Sequence, residues 1–287
     1  MTPSLPSVSP FIAASRRSGT GLRTGLVIAM LLTMPAQAVL AREGVEVGAN
    51  SKFSKLVPAD KVEQASQQQY AQLLQEAGRQ QTLVNPNNPQ VTRLRAIAQK
   101  IIPFSYEWNP RAKDWKWEVN LIGSKQINAF CMPGGKIAFY TGLVDQLKLT
   151  DDEVAIVMGH EVAHALREHA RERMGKQAFT NLGVGAASQL FGLGNLGQQA
   201  LGMGAQLLSM KYGREDESEA DLVGMELAAR AGYNPRAGVS LWQKMAAANK
   251  GAPPQWLSTH PSGNTRIADI EKNLPRVEPL YQRTKGK

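Results

Sequence analysis

His160 and His164 stand four residues apart in a stretch with helical periodicity, and Glu161 directly follows the first of them. Side chains at i and i+4 of a helix lie on one face, a turn apart. Two imidazoles so placed can hold one zinc ion at about 2.0–2.1 Å each. Glu161 is swung to the side of that pair, towards a water on the ion and not towards the ion itself. Zinc brings the pKa of such a water towards neutrality, and Glu161 can take its proton. The hydroxide then attacks a polarised peptide carbonyl, and Glu161 hands the proton to the leaving amine. Five residues are a short signal, met in a random chain of this length on the order of one time in a hundred. The surroundings favour the chemistry: Gly159 precedes, the flanks are apolar, Ala163 and Ala165 leave room, and two of the chain's four histidines fall here.

A catalytic zinc needs a third protein ligand and an open position. The candidates are His169, His260 and the acids. His169 lies nine residues past His160, half a turn round the same helix, where it faces away and caps or decorates the surface. No third histidine follows in the H-x-x-G-x-x-H spacing, so a three-histidine scheme fails. A glutamate from a later helix remains, and Glu217-Ser218-Glu219-Ala220-Asp221 supplies one. Glu217 and Asp221 share a helix face. Glu217 can ligate zinc, and Asp221 can accept the second imidazole N–H of a ligand histidine. Glu219 points elsewhere, into solvent. Taken alone, the acid run is a charged helix start of the ordinary kind, favoured by the helix dipole.

These residues need elements to hold them. Thr150 to Glu153 reads as a capping box opening the motif helix, which runs on to a basic end near Arg171-Glu172-Arg173. Helices are expected over 59–81, 90–102, 215–232 and 236–249, with a short last one from Arg266 to Asn273. Ser258 to Ser262 reads as a loop. Trp115 to Leu121 alternates as a half-buried strand, and Ile127–Met132, Pro133-Gly134-Gly135-Lys136 and Ile137–Thr141 read as a hairpin. The fold class expected is α+β: a mostly helical zincin-like domain with a small antiparallel sheet or hairpin beside the active-site helix. Its bounds are 59–275, after an irregular lead-in over 42–58 and before a basic tail over 276–287. Residues 179–210 are apolar and Gly-rich, carrying no charge; buried helices with close crossings and a mobile lid fit equally well.

The first 41 residues carry Arg16, Arg17 and Arg23, an apolar run from Leu26 to Met34, and Pro35-Ala36-Gln37-Ala38. That is the grammar of a secretory signal peptide cleaved near Ala38 or Ala41. The remaining chain, 43% hydrophobic and 20% charged over the whole sequence, has enough apolar residues for a real core, which excludes wholesale disorder. Cys131 is the single cysteine, so no internal disulfide holds the fold. Formal net charge is +9, falling to +6 without the three leader arginines. This mild excess suits peripheral contact with an anionic membrane surface. The basic residues are scattered without interleaved aromatics, so nucleic acid is not expected as a partner.

His160-Glu161-Val162-Ala163-His164 followed by Glu217-x-Glu219-Ala220-Asp221 resembles the gluzincin family of the heat-shock membrane protease HtpX and the CAAX prenyl proteases. The likeness is to its soluble, exported branch in the periplasm of Gram-negative bacteria. Asn128-Ala129-Phe130, Pro133-Gly134-Gly135, Tyr140-Thr141-Gly142, Arg214, Ala231-Gly232-Tyr233-Asn234-Pro235, Ser258-Thr259-His260-Pro261 and Arg266 follow that branch in order, over about residues 90–275. The resemblance implies one zinc per chain on His160, His164 and Glu217, with Glu161 catalytic and Asp221 in an acid or supporting role. It implies that Asn128, Ala129 and Phe130 lie along the cleft, where a strand edge can pair with an extended substrate. His260 resembles a histidine that reaches the zinc in some relatives and masks the site; positioning substrate or stabilising the oxyanion is the alternative. The function implied is an endopeptidase for misfolded or misassembled envelope proteins, in the periplasm and in contact with the outer membrane. A chaperone-like client-binding protein with weak proteolysis, and a closed structural zinc site, are the competing readings.

Overall fold

Thr150 opens the central helix as the capping box requires. Its Oγ1 accepts the Glu153 N–H at 3.3 Å, and Glu153 Oε2 accepts the Thr150 N–H at 2.8 Å. The computed structural model describes residues 42–190 (backbone only for 181–190), 206–248, 254–261 and 265–286. The expected leader over 1–41, and residues 191–205 of the Gly-rich segment, lie outside the described residues.

The helices are α1 (Ala59–Arg79), α2 (Pro89–Ile101), α3 (Thr141–Gln146), α4 (Asp151–Leu166), α5 (His169–Leu190), α6 (Arg214–Arg230), α7 (Ala237–Ala248), α8 (Gln255–Thr259) and α9 (Arg266–Lys285). The strands are β1 (Glu118–Ile122), β2 (Ala129–Met132) and β3 (Lys136–Tyr140). The class is α+β, as expected. The sheet, however, is mixed, in the order β1-β3-β2. β2 and β3 form the expected antiparallel hairpin, with Ala129 opposite Phe139 and Met132 opposite Lys136, but β1 runs parallel to β3. The hairpin returns through Gly134 and Gly135, at φ +85 and +76. A Cβ on Gly135 would also strike the Trp117 ring at 2.7 Å, so only glycine fits there. β3 thus takes the centre and leaves β2 as the edge lying beside α4.

α4 is not amphipathic: every residue from Glu153 to Leu166 is buried. A helix buried all round belongs in the centre of a domain. It crosses α6 at close range through two glycines. A Cβ on Gly224 would stand 2.5 Å from the His160 nitrogen, and one on Gly159 would meet the Gly224 carbonyl. Mid-helix glycine is unfavourable by roughly 1 kcal/mol, yet here it lets two backbones touch and sets His160 opposite Glu217 and Asp221. Gly224→Ala is expected to destabilise the protein by about 1–3 kcal/mol, the range for overpacked cores. Thermal unfolding would register this as a lower Tm; an unchanged Tm would mean the crossing has slack.

Two expected boundaries fail. The motif helix ends at Leu166, not near Arg173, because Arg167 caps it and Glu168 adopts φ +59. The last helix runs to Lys285, so the expected tail from 276 begins inside it. Pro275 and Pro279 are tolerated because Ile270, Leu274, Val277, Leu280 and Tyr281 form a buried stripe, with α9 packed on α6. Each such burial is worth roughly 1.5–3 kcal/mol, enough together to offset two prolines at about 3 each. The expected loop at Ser258 also differs, since Ser258 and Thr259 close α8. Among the described residues, no helix is long and apolar enough to cross a membrane.

Candidate active site

The two histidines of α4 project from one face, and α6 presents acids to them across the glycine crossing. His160 Nε2 and His164 Nε2 are 3.1 Å apart. Glu217 Oε1 lies 3.4 Å from His164 Nε2, and Glu217 Oε2 lies 3.6 Å from His160 Nε2. His260, just after α8, closes the group: its Nδ1 is 3.2 Å from His160 Nε2 and 3.0 Å from Glu217 Oε1. A tetrahedral zinc at about 2.0–2.1 Å from each donor spaces its donors about 3.3 Å apart. The spacings match, and three imidazoles with one carboxylate are zinc chemistry. His160, His164, Glu217 and His260 are all buried, and all four can hold a metal ion.

The surrounding groups prepare these donors. Burial pushes the His164 imidazole well below its ordinary value, so it is neutral and has a lone pair to give. Burial alone would raise the Glu217 carboxyl, but the imidazoles of His164, His260 and His160 around it hold it far below the usual range. Asp221 Oδ1 lies 3.0 Å from His160 Nδ1. Burial would raise Asp221 too, but the Arg266 charge and the His160 bond hold it down. Arg266 grips both Asp221 oxygens at 2.6 Å, reaches Glu217 Oε2 with Nη1, and stacks 3.8 Å over the Trp242 ring. For His260, burial lowers the pKa, but the charges of Glu161 and Glu217 outweigh it, and the net direction is up.

Glu161 is buried beside the donors without being one of them. Its Oε1 accepts the Trp256 Nε1–H at 2.6 Å and lies 3.6 Å from His260 Nε2. Trp256 also donates its backbone N–H to Ile127 O at 3.0 Å, and its ring stacks on His260 at 5.0 Å between centroids. The Tyr212 N–H donates to Thr259 O at 3.0 Å. The short helix α8 therefore sits over the site, tied to the approach to β2 on one side and to the start of α6 on the other. Asn128, Ala129 and Phe130 line one cleft with Glu161, Tyr212 and His260.

A match to the sequence profile of Peptidase family M48 covers residues 89–274. The chain belongs to peptidase family M48. The metal of M48 metallopeptidases is zinc, in keeping with the donor set here. Among relatives, the mitochondrial metalloendopeptidase OMA1 of Schizosaccharomyces pombe is 31% identical over 239 residues, which is 82% of this chain and 67% of that protein. Metalloprotease LoiP of Escherichia coli is 29% identical over 71% of this chain and 78% of its own length. The beta-barrel assembly-enhancing protease of Yersinia pestis is 30% identical over 55% of this chain. The chain spans 35% of that last protein and only 30% of the OMA1 of Arabidopsis thaliana.

Against this M48 frame, His169 and Glu219 differ from expectation. His169 is 1% exposed, turned inwards by the break at Glu168. Its Nδ1 lies 2.9 Å from His164 Nδ1 and its Nε2 lies 3.1 Å from Glu219 Oε2. Glu219 is thus engaged and not simply solvated. Trp256, Tyr212 and Arg266 were not among the expected site residues. The sequence signals for them are uneven: Arg266 belongs to the family pattern without an assigned role, Trp256 is a tryptophan four residues before His260, and Tyr212 gives no sign.

Proposed function

We propose that this chain is an exported zinc endopeptidase that acts on unfolded or misassembled envelope proteins. The observation that carries the peptidase reading is Glu161, a buried carboxylate next to the metal donors but outside their set. A purely structural zinc site has no use for such a group. His160, His164 and Glu217 would hold the zinc, with Asp221 and Arg266 fixing His160 and Glu217. When bound, zinc supplies a Lewis acid that polarises a peptide carbonyl and lowers the pKa of an adjacent water. Glu161 takes the proton of the attacking water at a carboxylate oxygen and passes it to the departing amide nitrogen. The β2 edge at Asn128, Ala129 and Phe130 holds an extended substrate by main-chain bonds, which tolerates varied side chains.

On this reading the site rests in a latent form. His260 would take the fourth ligand position of a bound zinc, the Trp256 Nε1–H covers Glu161 Oε1, and both belong to one short segment. One displacement of α8 would free the metal position, the base and the approach to β2 together. Export is supported by the leader grammar of residues 1–41, and the envelope setting by the likeness to the beta-barrel assembly-enhancing protease. Peripheral membrane contact rests on the mild basic excess. Casein cleavage by the purified protein, lost with a chelator and restored by zinc, is the expected result. Cleavage that persists in metal-stripped protein would end the zinc-peptidase reading.

A further inference from the structure

His160 and His164 meet acids by different routes. His160 Nδ1 goes directly to the Asp221 carboxylate. His164 Nδ1 goes to another imidazole, His169, and that imidazole goes to Glu219. A continued α4 could not produce this contact, because residues five apart on a helix diverge by about 140°. Glu168 at φ +59 turns the chain so that His169 folds back under His164. A non-glycine residue in that region is strained and persists where the surroundings enforce it. Tyr212 stacks on the face of His164 at 4.0 Å, so ring plane and ring edge are both held.

We infer that His169 and Glu219 are positioning residues that set the tautomer of His164. The proton order follows from the chemistry of the groups. Arg167 donates to Glu219 Oε1 at 2.5 Å and can only donate. Both Glu219 oxygens therefore accept, and His169 Nε2 carries the proton it donates to Oε2. His164, holding a metal through Nε2, carries its one proton on Nδ1, so His169 Nδ1 is the bare acceptor of that bond. His164 Nε2 is left with its lone pair, aimed at His160 Nε2 and Glu217. Arg167 also donates to Gly48 O, which ties the chain of bonds to the irregular lead-in segment. Nothing in this sequence of bonds depends on a change of protonation; it is a fixed relay from a carboxylate to a donor nitrogen.

The inference rests on His164 being a zinc ligand, and its test separates the two. Zinc dissociation constants are measured by chelator competition on the purified protein, with the Tm of the metal-free form as a control for folding. His164→Ala is expected to abolish tight binding; if it does not, the site assignment itself fails. Glu219→Gln is nearly isosteric. Its amide oxygen must face Arg167, so its NH2 faces His169 and forces the proton onto His169 Nδ1, against the proton on His164. The expected result is zinc binding weakened by about 10–100-fold with an unchanged metal-free Tm. His169→Phe should weaken it as much. His169→Asn, whose Oδ1 can accept from His164 in the same place, should stay within about threefold of wild type. Long-range proton–nitrogen NMR on the zinc-loaded wild type should show His169 neutral with the proton on Nε2. A wild-type zinc affinity in Glu219→Gln, an asparagine variant as weak as the phenylalanine one, or a His169 proton on Nδ1 would each overturn the relay.

Discussion

Replacing His260 by alanine is expected to raise peptide hydrolysis, although it removes a buried metal-donor histidine. The cover over the site is held by few bonds: Trp256 N–H to Ile127, Trp256 Nε1–H to Glu161, Tyr212 N–H to Thr259, and His260 to Glu217. Each contributes roughly 0.5–1.5 kcal/mol net, more where a charge is involved. Together with the burial of Trp256 and Leu257 and the fourth donor they hold the open state several kcal/mol above the closed one, a minor population. Alanine at 260 frees the fourth position and removes the Glu217 tie, so casein turnover should rise about 10-fold or more. Were His260 instead a stabiliser of the transition-state oxyanion, the same change would lower turnover by about 10²–10³-fold. At full zinc occupancy the sign separates the readings. Zinc content should be measured beside turnover, because a site cut from four donors to three binds more weakly, and a fall in rate counts only at full occupancy.

That both outcomes can be stated reflects how unevenly the site could be read in the chain. His160, Glu161 and His164 are legible because their relation is local: helical spacing alone puts the two imidazoles on one face. Glu217 and Asp221 are legible for the same reason, once a third ligand is required. The hairpin declares itself through Pro133-Gly134-Gly135, whose backbone angles only glycine adopts easily. What stayed hidden is tertiary. His169 faces inwards only because Glu168 takes φ +59, and a glutamate gives no sign of that. Glu219 finds its partners in Arg167 and His169, about 50 residues earlier in the chain. β1 pairs with β3 and not with its nearer neighbour, a long-range choice that the strand's own alternation does not carry. Gly159 and Gly224 each look like weak points in a helix and make sense only as a pair. Local chemistry survives in sequence; the shell that orients it is written across distances that periodicity does not reach.

Glu161→Gln carries the second large effect, and it separates an enzyme from a client-binding protein. The amide keeps the volume of the carboxylate and cannot take a proton from water at pH 7. Trp256 Nε1–H, which now donates to Oε1 at 2.6 Å, can still donate to the amide oxygen. The metal donors His160, His164 and Glu217 are untouched, so zinc content and Tm should stay near wild type. Loss of a positioned general base is worth about 10²–10⁴-fold in rate, and in the His260→Ala background, where the site is open, the fall should be seen in full. A double variant that still cuts casein at the rate of His260→Ala would show that Glu161 is not the base. A Glu161→Gln strain that keeps full resistance to envelope stress at normal protein level would favour holding of clients over hydrolysis, because binding through β2 does not need the carboxylate. Loss of both cleavage and resistance, with client binding retained, ties the protective effect to the proton that Glu161 moves.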